Sequence, residues 1–158
     1  MSIDSNDFRK ALGNFAAGVT VVTGNLPDGT PAGLTVTAFS SVSLEPPLIL
    51  VCIGKQTGCL DAFEKGQNFA VNLLSEAQQD VSNLFASREA DKFAGVETVA
   101  GKTGCLLLKG ALAHIECKKE ATYDAGDHYV YIGRVVALSA ADEGNPLLYF
   151  QGGYREIA

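Results

Sequence analysis

The sequence has no tryptophan, one methionine and two histidines among its 158 residues. Its four cysteines, Cys52, Cys59, Cys105 and Cys117, form no Cys-x-x-Cys pair. A structural zinc site needs about four Cys or His ligands at close spacing, so we expect no metal site. Disulfides rarely persist in a reducing compartment, and free cysteines are usually buried. The cysteines are therefore expected to be free, buried thiols.

Long apolar runs and an excess of positive charge are also missing. No run approaches the roughly 20 residues of a membrane-spanning helix, and the first seven residues are polar and acidic, unlike a signal peptide. The net charge is -6 and the pI about 4.8, whereas nucleic-acid binding relies on clustered Lys and Arg. We therefore expect a cytoplasmic protein with no membrane and no nucleic-acid partner.

The usual nucleotide-binding loops are absent as well. There is no Gly-x-Gly-x-x-Gly, so a Rossmann fold is not indicated. The segment Gly95–Thr103 looks like a phosphate loop, but five residues separate Gly95 from Gly101 where the Walker pattern has four. The apolar residues that follow are also a poor helix start, which indicates a plain turn.

The sequence does have enough apolar residues, 47%, for one continuous core, and its length suits a single domain over residues 1–158. Hydrophobic periodicity and turn residues predict more strands than helices, without repeated β-α alternation. The predicted strands are 19–23, one from 32, 48–53, 68–74, 111–118, 129–138 and 147–150. Three helices are predicted. The first is amphipathic, carries Phe8, Leu12 and Phe15, and has its N-cap at Ser5 or Asn6. The second is short, over 57–65, and the third follows a Ser75–Gln78 capping box and ends near Ser87.

The run 33–54 carries the most chemical information. Leu34, Val36 and Ala38 alternate with Thr35 and Thr37, which predicts a strand with one buried face and one face of small hydroxyls. That strand is expected to continue through the serines until Pro46-Pro47 ends it. The apolar run 48–53 favours a strand covered on both faces. By themselves the hydroxyls are either ordinary strand and turn residues or the lining of a binding site.

The string from Ala32 to Val51 resembles the flavin-binding segment of the short-chain flavin reductase family. Further matches lie at 18–23, 69–74, 126–128 and 152–154, in order along nearly the whole chain. The resemblance implies a mainly β fold with peripheral α-helices, a split β-barrel of the FMN-binding type. It also implies an NAD(P)H:flavin oxidoreductase that takes NADH or NADPH as co-substrate and reduces FMN or FAD for a separate flavin-dependent monooxygenase. The alternative is a non-catalytic flavin-binding redox module on the same barrel. A homodimer with flavin near the subunit interface is expected from the resemblance and from the small size of the barrel.

The same resemblance implies the flavin contacts. These are Thr35, Val36, Thr37, Ala38, Ser40, Ser41, Cys52, Gly54, Lys55, Thr57, Gly58, Ser87, Arg88 and Tyr154. The residues 55–58 also lead into a predicted helix, whose N-terminus favours an anion, although Thr57 is equally suited to be a plain N-cap. Arg88 is either a phosphate contact or a surface charge. Tyr154 either lies near the flavin ring or is a core aromatic at a strand end.

His128 is the candidate catalytic residue. A lone histidine in a hairpin is more often a surface or capping residue, but the Gly126–His128 match implies a place beside the nicotinamide, where His128 positions the dinucleotide. Asp127 is expected to orient this loop. Hydride transfer needs little acid-base chemistry from the protein, which agrees with the lack of a catalytic triad. We expect His114 to be structural or surface-exposed.

Overall fold

A computed structural model describes all 158 residues, and strands dominate it. The helices are α1 (Ser5–Leu12), α2 (Leu60–Glu64) and α3 (Gln79–Ala86). The strands are β1 (Ala17–Gly18), β2 (Thr20–Asn25), β3 (Pro31–Val36), β4 (Phe39–Ser43), β5 (Leu48–Gly54), β6 (Asn68–Leu73), β7 (Thr98–Ala100), β8 (Leu106–Leu108), β9 (Ala113–Ala125), β10 (His128–Ala140), β11 (Leu148–Phe150) and β12 (Gly153–Arg155). No helix is long and apolar enough to cross a membrane. The cytoplasmic location stays a prediction.

Seven strands form one antiparallel sheet in the order β3-β2-β6-β9-β10-β5-β4. The two edge strands, β3 and β4, are consecutive in the chain and are joined only by Thr37 and Ala38. The three steps from Val36 to Phe39 span at most about 11 Å, so the two edge strands must lie close together. The Cys52 N–H donates to Ala38 O at 3.0 Å across this junction. The sheet therefore curls into the expected barrel.

The hydroxyl-rich run is two strands, and the prediction of one strand from 33 to Pro46 was wrong. β3 pairs with β2, whereas β4 pairs with β5, so the chain has to leave one partner to reach the other. Val36 is buried as expected, but Ala38 lies at the break and is exposed. The alternation predicted from Leu34 to Ala38 consequently ends at Val36.

The barrel core is built from alternate residues of the paired strands. Along β5, Ile49, Val51 and Ile53 are buried, while the side chains between them are only half-buried. The prediction that this strand is covered on both faces was wrong because the helices pack against β2 and β3 instead. A second core cluster, including Val21, lies between the sheet and α3, with Phe85 at its centre.

Helix α1 begins one residue earlier than predicted. The N-cap is Asp4, whose Oδ1 accepts the N–H groups of Asn6 and Asp7 at 2.9 and 3.2 Å. The amphipathic pattern is real, but α1 has no buried residue: Phe8 and Leu12 are more than half exposed. Its apolar face is therefore unpartnered within one chain.

The predicted start of α2 was wrong, whereas the predicted bounds of α3 agree with the structure. Helix α2 begins at Leu60 with Cys59 in the cap position, so Thr57 is not its N-cap. The capping box before α3 is present, and Gln78 Oε1 accepts the Ser75 N–H at 2.9 Å. Helix α3 ends at Ala86, next to the predicted boundary.

The β9–β10 hairpin is longer than the sequence pattern predicted. Each strand has 13 residues, against predictions of 111–118 and 129–138. A two-residue turn, Gly126–Asp127, joins them, and Gly126 has φ 70°, a conformation that favours glycine in such turns. Residues 119–125, by which β9 exceeds its predicted end, are mostly exposed and so show no hydrophobic alternation.

The phosphate-loop-like segment holds an internal carboxylate. It lies in a small β7–β8 hairpin that the sequence pattern did not predict. The Thr103 N–H and Oγ1 both donate to Glu116 Oε2 at 2.7 Å. Burial by itself would raise the pKa of Glu116, but these bonds outweigh it and hold the pKa below its usual value. A Cβ on Gly101 would lie 2.5 Å from the same oxygen, so the loop is closed around Glu116.

All four cysteines are free. Cys105 and Cys117 are buried, whereas Cys52 and Cys59 are only half-buried, so the expectation of four buried thiols was wrong for two of them.

Candidate functional site

A groove of about 1040 Å³ runs between β3, the turn that follows β5 and the segment that follows α3. Five of the predicted flavin-binding residues line it: Thr35, Thr57, Gly58, Ser87 and Arg88. They come from three stretches far apart in sequence, so the barrel and α3 together create the groove. The structure therefore brings the two predicted phosphate regions into one cavity.

Several donors in this groove have no partner within the chain. The Arg88 guanidinium is exposed and makes no ion pair, and the N–H groups of Gly58 and Cys59 donate to no protein acceptor. Two acidic residues, Glu89 and Asp91, also line the groove. Asp91 Oδ1 already accepts the backbone N–H groups of Phe93 and Ala94. Free N–H groups beside an arginine suit an anionic ligand group.

Two hydroxyls of the groove, those of Thr35 and Ser87, are already tied to α3. Thr35 Oγ1 donates to Ser82 O, and Ser87 Oγ donates to Leu84 O, both at 2.6 Å. Each hydroxyl has thus committed its proton and retains acceptor capacity. Their first role is to fix the groove wall.

The predicted flavin contacts of 36–41 lie outside the groove. Thr37, Ala38, Ser40 and Ser41 are exposed around the β3–β4 junction, and Val36 is buried in the core. Thr37 lines a separate pocket of about 300 Å³ whose walls are mostly apolar, with Phe15 and Phe39 among them. The predicted flavin-binding residues are thus divided between the groove and this junction.

His128 lies where β10 begins, directly opposite Gly54 of β5. Its Nδ1 lies 2.6 Å from Asp127 Oδ1, and a Cβ built on Gly54 would be 3.7 Å from its Nε2. The hydrogen bond with His128 holds the pKa of Asp127 below its usual value. An ionised Asp127 fixes the proton on Nδ1 of a neutral imidazole, leaving Nε2 as the free ring nitrogen. The orienting role of Asp127 stays a prediction, and this contact is consistent with it.

Lys55 and Cys52 lie next to β10, the strand that begins with His128. Lys55 Nζ lies 2.6 Å from Asp124 Oδ1, and the hydrogen bond with Asp124 raises the pKa of Lys55. Cys52 pairs with Val130 of β10, and burial raises the pKa of its thiol. Neither residue lines the groove, which begins one residue after Lys55, at Gln56. The short stretch 54–58 therefore connects His128 with the groove.

Tyr154 lies on β12 and contacts α3 from outside the groove. Its hydroxyl lies 2.7 Å from Ser82 Oγ and donates to Asn83 Oδ1 at 2.9 Å. Its ring meets Tyr149 edge-on at a centroid distance of 5.5 Å. His114, on β9, is bonded to Leu108 O and Ser139 Oγ, as expected of a structural histidine.

Comparison with known proteins identifies this arrangement. The family model described as "Flavin reductase like domain" matches residues 12–158. The chain belongs to this family. The flavin reductase class expected from the motifs and the split-barrel fold expected with it are both confirmed.

Three relatives show how far the likeness extends. The reductase subunit HsaB of a flavin-dependent monooxygenase from Rhodococcus jostii (strain RHA1) is 44% identical over 156 residues, which are 99% of this chain and 80% of HsaB. The stachydrine N-demethylase reductase subunit Stc3 of Rhizobium meliloti (strain 1021) is 41% identical, and the match spans 96% of this chain and 65% of Stc3. The NADH:FAD oxidoreductase SgcE6 of Streptomyces globisporus, solved in complex with NAD and FAD fragments, has a TM-score of 0.92 at 34% identity, over 100% of this chain and 97% of SgcE6.

The residues of this reductase fit a phosphate-bearing cofactor. The groove has a volume of about 1040 Å³, has unpaired N–H donors at Gly58 and Cys59, and carries the free guanidinium of Arg88. A Cβ on Gly58 would meet no atom within 4 Å, so the backbone is open to a ligand there. These features match the anionic end of a flavin nucleotide.

Sequence reasoning missed part of the groove wall, namely Leu26, Thr30, Pro31, Gln56, Cys59 and Lys92. Lys92 Nζ donates to Gly33 O at 3.2 Å and to Phe85 O at 3.0 Å, so it ties the loop after α3 to β3. Its partners are backbone carbonyls, which leave no signal in a sequence. Cys59 and Gln56 could have been found as neighbours of Thr57 and Gly58.

Proposed function

We propose that this protein transfers a hydride from NADH or NADPH to FMN or FAD and supplies the reduced flavin to a separate flavin-dependent monooxygenase. The observation that carries the proposal is the placement of His128 and the groove at opposite ends of the short stretch 54–58. The names of HsaB and Stc3 as reductase subunits support the partner oxygenase. SgcE6, with NAD and FAD fragments bound, supports the pair of cofactors.

On the flavin side, the chain binds and orients. The bound flavin supplies the ring that accepts the hydride. Arg88 and the N–H groups of Gly58 and Cys59 would hold its phosphate, with Thr57 beside them. Ser87 and Thr35 keep the groove wall in place through α3. The exposed hydroxyls of Thr37, Ser40 and Ser41 are the proposed polar contacts nearer the β3–β4 junction.

On the nicotinamide side, His128 orients rather than transfers protons. Asp127 holds Nδ1, so the ring has one fixed rotation and one free nitrogen, Nε2. That nitrogen accepts a hydrogen bond when the imidazole is neutral and donates one when it is protonated. Positioning of this kind is what hydride transfer requires, because its rate depends on distance and alignment.

We propose further that the protein is a homodimer. Large apolar side chains remain exposed in one chain: Phe8, Leu12 and Phe15 near the N-terminus, Val42 and Leu44 at β4, and Val136 and Leu138 on β10. Exposed apolar patches mark interaction surfaces, and symmetric dimers are the commonest oligomers. Phe15 also lines the pocket that holds Thr37, so a second subunit covering it would border the predicted flavin contacts.

The test is an anaerobic assay of NADH and NADPH oxidation with FMN and FAD added in turn. We expect at least one dinucleotide and flavin pair to turn over at a few per second or more, as is usual for enzymes. Flavin binding without oxidation of either dinucleotide, by well-folded protein, would instead identify a non-catalytic flavin-binding module.

A further inference from the structure

The ammonium group of Lys55 already contacts other side chains, unlike that of a lysine free to bind phosphate. Its Nζ lies 2.6 Å from Asp124 Oδ1 and 4.9 Å from the centre of the Tyr129 ring. Its side chain is 29% exposed, whereas Arg88 in the groove is exposed and has no ion pair. A cation already bound to a carboxylate and an aromatic face has little left to offer a phosphate.

The contacts of Lys55 join three strands at the end of the β9–β10 hairpin. Its N–H donates to Asp127 O at 2.9 Å, which binds the end of β5 to the turn. Its side chain crosses β10 at Tyr129 and reaches Asp124 on β9. Tyr129 and Asp124 are paired in the ladder, so Lys55 closes the hairpin tip from the β5 side.

His128 lies inside this frame. It follows Asp127, precedes Tyr129, and is paired with Gly54 of β5 and Ala125 of β9. We infer that Lys55 and Asp124 are positioning residues for His128: their ion pair holds the hairpin tip against β5 and so keeps the imidazole beside Gly54. The inference rests on the proposed function, in which His128 positions the dinucleotide. Lys55, predicted as a flavin contact, is then a residue of the dinucleotide side instead.

The exposure of the pair makes the inference testable without loss of the fold. Asp124 is 69% exposed, and exposed ion pairs add little to global stability. Lys55→Met keeps most of the aliphatic stem over Tyr129, and Asp124→Asn keeps the shape of the side chain. The matched control is Lys65→Met, since Lys65 is also paired with an aspartate, Asp61, at 3.2 Å but lies on the far end of α2.

Steady-state kinetics give the first readout. Lys55→Met and Asp124→Asn should each raise the KM for the dinucleotide about three- to tenfold, while the flavin Kd stays within about twofold of wild type. The double variant should be no worse than either single one, since both remove the same contact. The swapped pair Lys55→Asp with Asp124→Lys should recover part of the loss, and Lys65→Met should match wild type.

Imidazole NMR gives a readout that needs no activity. The chain has only His114 and His128, and His128→Ala assigns their signals. In its neutral form, wild-type His128 should be the single tautomer with the proton on Nδ1, as its contact with Asp127 requires. Lys55→Met should mix the two tautomers, whereas Lys65→Met should not.

Two results would overturn the inference. One is a Lys55→Met protein that loses flavin affinity but keeps its dinucleotide KM and its His128 tautomer, which would make Lys55 a flavin contact. The other is a set of Lys55 and Asp124 variants that behave like Lys65→Met in both readouts. If the wild type oxidises neither dinucleotide, the proposed function fails, but the NMR comparison still decides whether Lys55 and Asp124 position His128.

Discussion

Thr35 and Thr37 are two residues apart in the same hydroxyl-rich segment, but their hydroxyl groups have different surroundings. Thr35 Oγ1 donates to Ser82 O at 2.6 Å and joins β3 to α3. Thr37, two residues later, is exposed and its hydroxyl has no partner within the chain. The first hydroxyl therefore supports the fold, and the second is free for a ligand.

Replacing each threonine by valine should separate these roles. Thr35→Val removes one hydrogen bond and should lower the free energy of unfolding by about 0.5 to 1.5 kcal/mol. Thr37→Val should change stability by less than about 0.5 kcal/mol but weaken flavin affinity by roughly a few-fold to tenfold. Urea unfolding and quenching of flavin fluorescence measure the two effects. Equal losses of stability in both variants would show that this division is wrong.

Motif matching located residues of the site but not their contacts. It named Thr57, Gly58, Ser87 and Arg88, which the structure gathers in one groove. The alternative that Thr57 is a plain N-cap, taken from the helix pattern, was wrong because the helix starts at Leu60. The partner of Lys55 lies 69 residues away in sequence, and no local pattern could have predicted that pair. Residues that line the groove could be predicted from short strings, whereas their bonding partners could be found only from the fold.

Among the structural elements, the β7–β8 hairpin shows why Gly95–Thr103 looks like a phosphate loop without being one. The glycines and threonine that resemble a phosphate loop enclose a carboxylate from β9, and Thr103 supplies two donors to it. Glu116 is 4% exposed, so its charge depends on these bonds. Loss of that charge should loosen the β7–β8 hairpin.

The pKa of Glu116 predicts how stability depends on pH. Because the pKa is lowered from 4.5 in the folded state, the ionised Glu116 stabilises the protein fully above about pH 4.5, and this contribution is lost as the pH falls through the lower folded pKa. Glu116→Gln should therefore lower the free energy of unfolding by about 2 kcal/mol near pH 7, and by less in acid.

Urea unfolding at several pH values tests this, with Glu143→Gln as control, since Glu143 is exposed and unpaired. A constant difference between wild type and Glu116→Gln from neutral to acidic pH would refute the role of ionisation.

Element boundaries were predictable only where local chemistry marks them. The Ser75–Gln78 capping box set the start of the α3 region correctly, and the turn-forming residues of 25–29 lie where the chain passes from β2 to β3. The break at Thr37–Ala38 carries no turn residue, because it arises from the need of β3 and β4 to pair with different strands. The extra length of β9 and β10 is polar and solvent-facing, so it shows no hydrophobic alternation.

At the scale of the whole molecule, the order of motifs along the chain predicted the barrel and the family. What it could not supply is which surfaces one chain leaves uncovered. The apolar faces of α1 and of β10 stay exposed in one chain, and the sequence pattern did not distinguish them from faces that pack inside it.

We expect these faces to be covered in a homodimer. Light scattering should give twice the chain mass of 16.6 kDa, with flavin present. Leu138→Asp places a charge on a side chain that is 72% exposed in one chain, and should weaken the dimer if that surface is buried in it. A mass of one chain with flavin bound would contradict the proposed assembly.

Anaerobic stopped-flow reduction of bound flavin by the dinucleotide, in wild type and in His128→Ala, decides whether His128 positions the nicotinamide. For His128→Ala we expect a flavin Kd within about twofold of wild type and a slower reduction step or a higher dinucleotide KM, because only that step depends on how the nicotinamide is placed. A His128→Ala protein that loses flavin as severely as Thr37→Val, yet reduces the remaining bound flavin at the wild-type rate, would rule this role out.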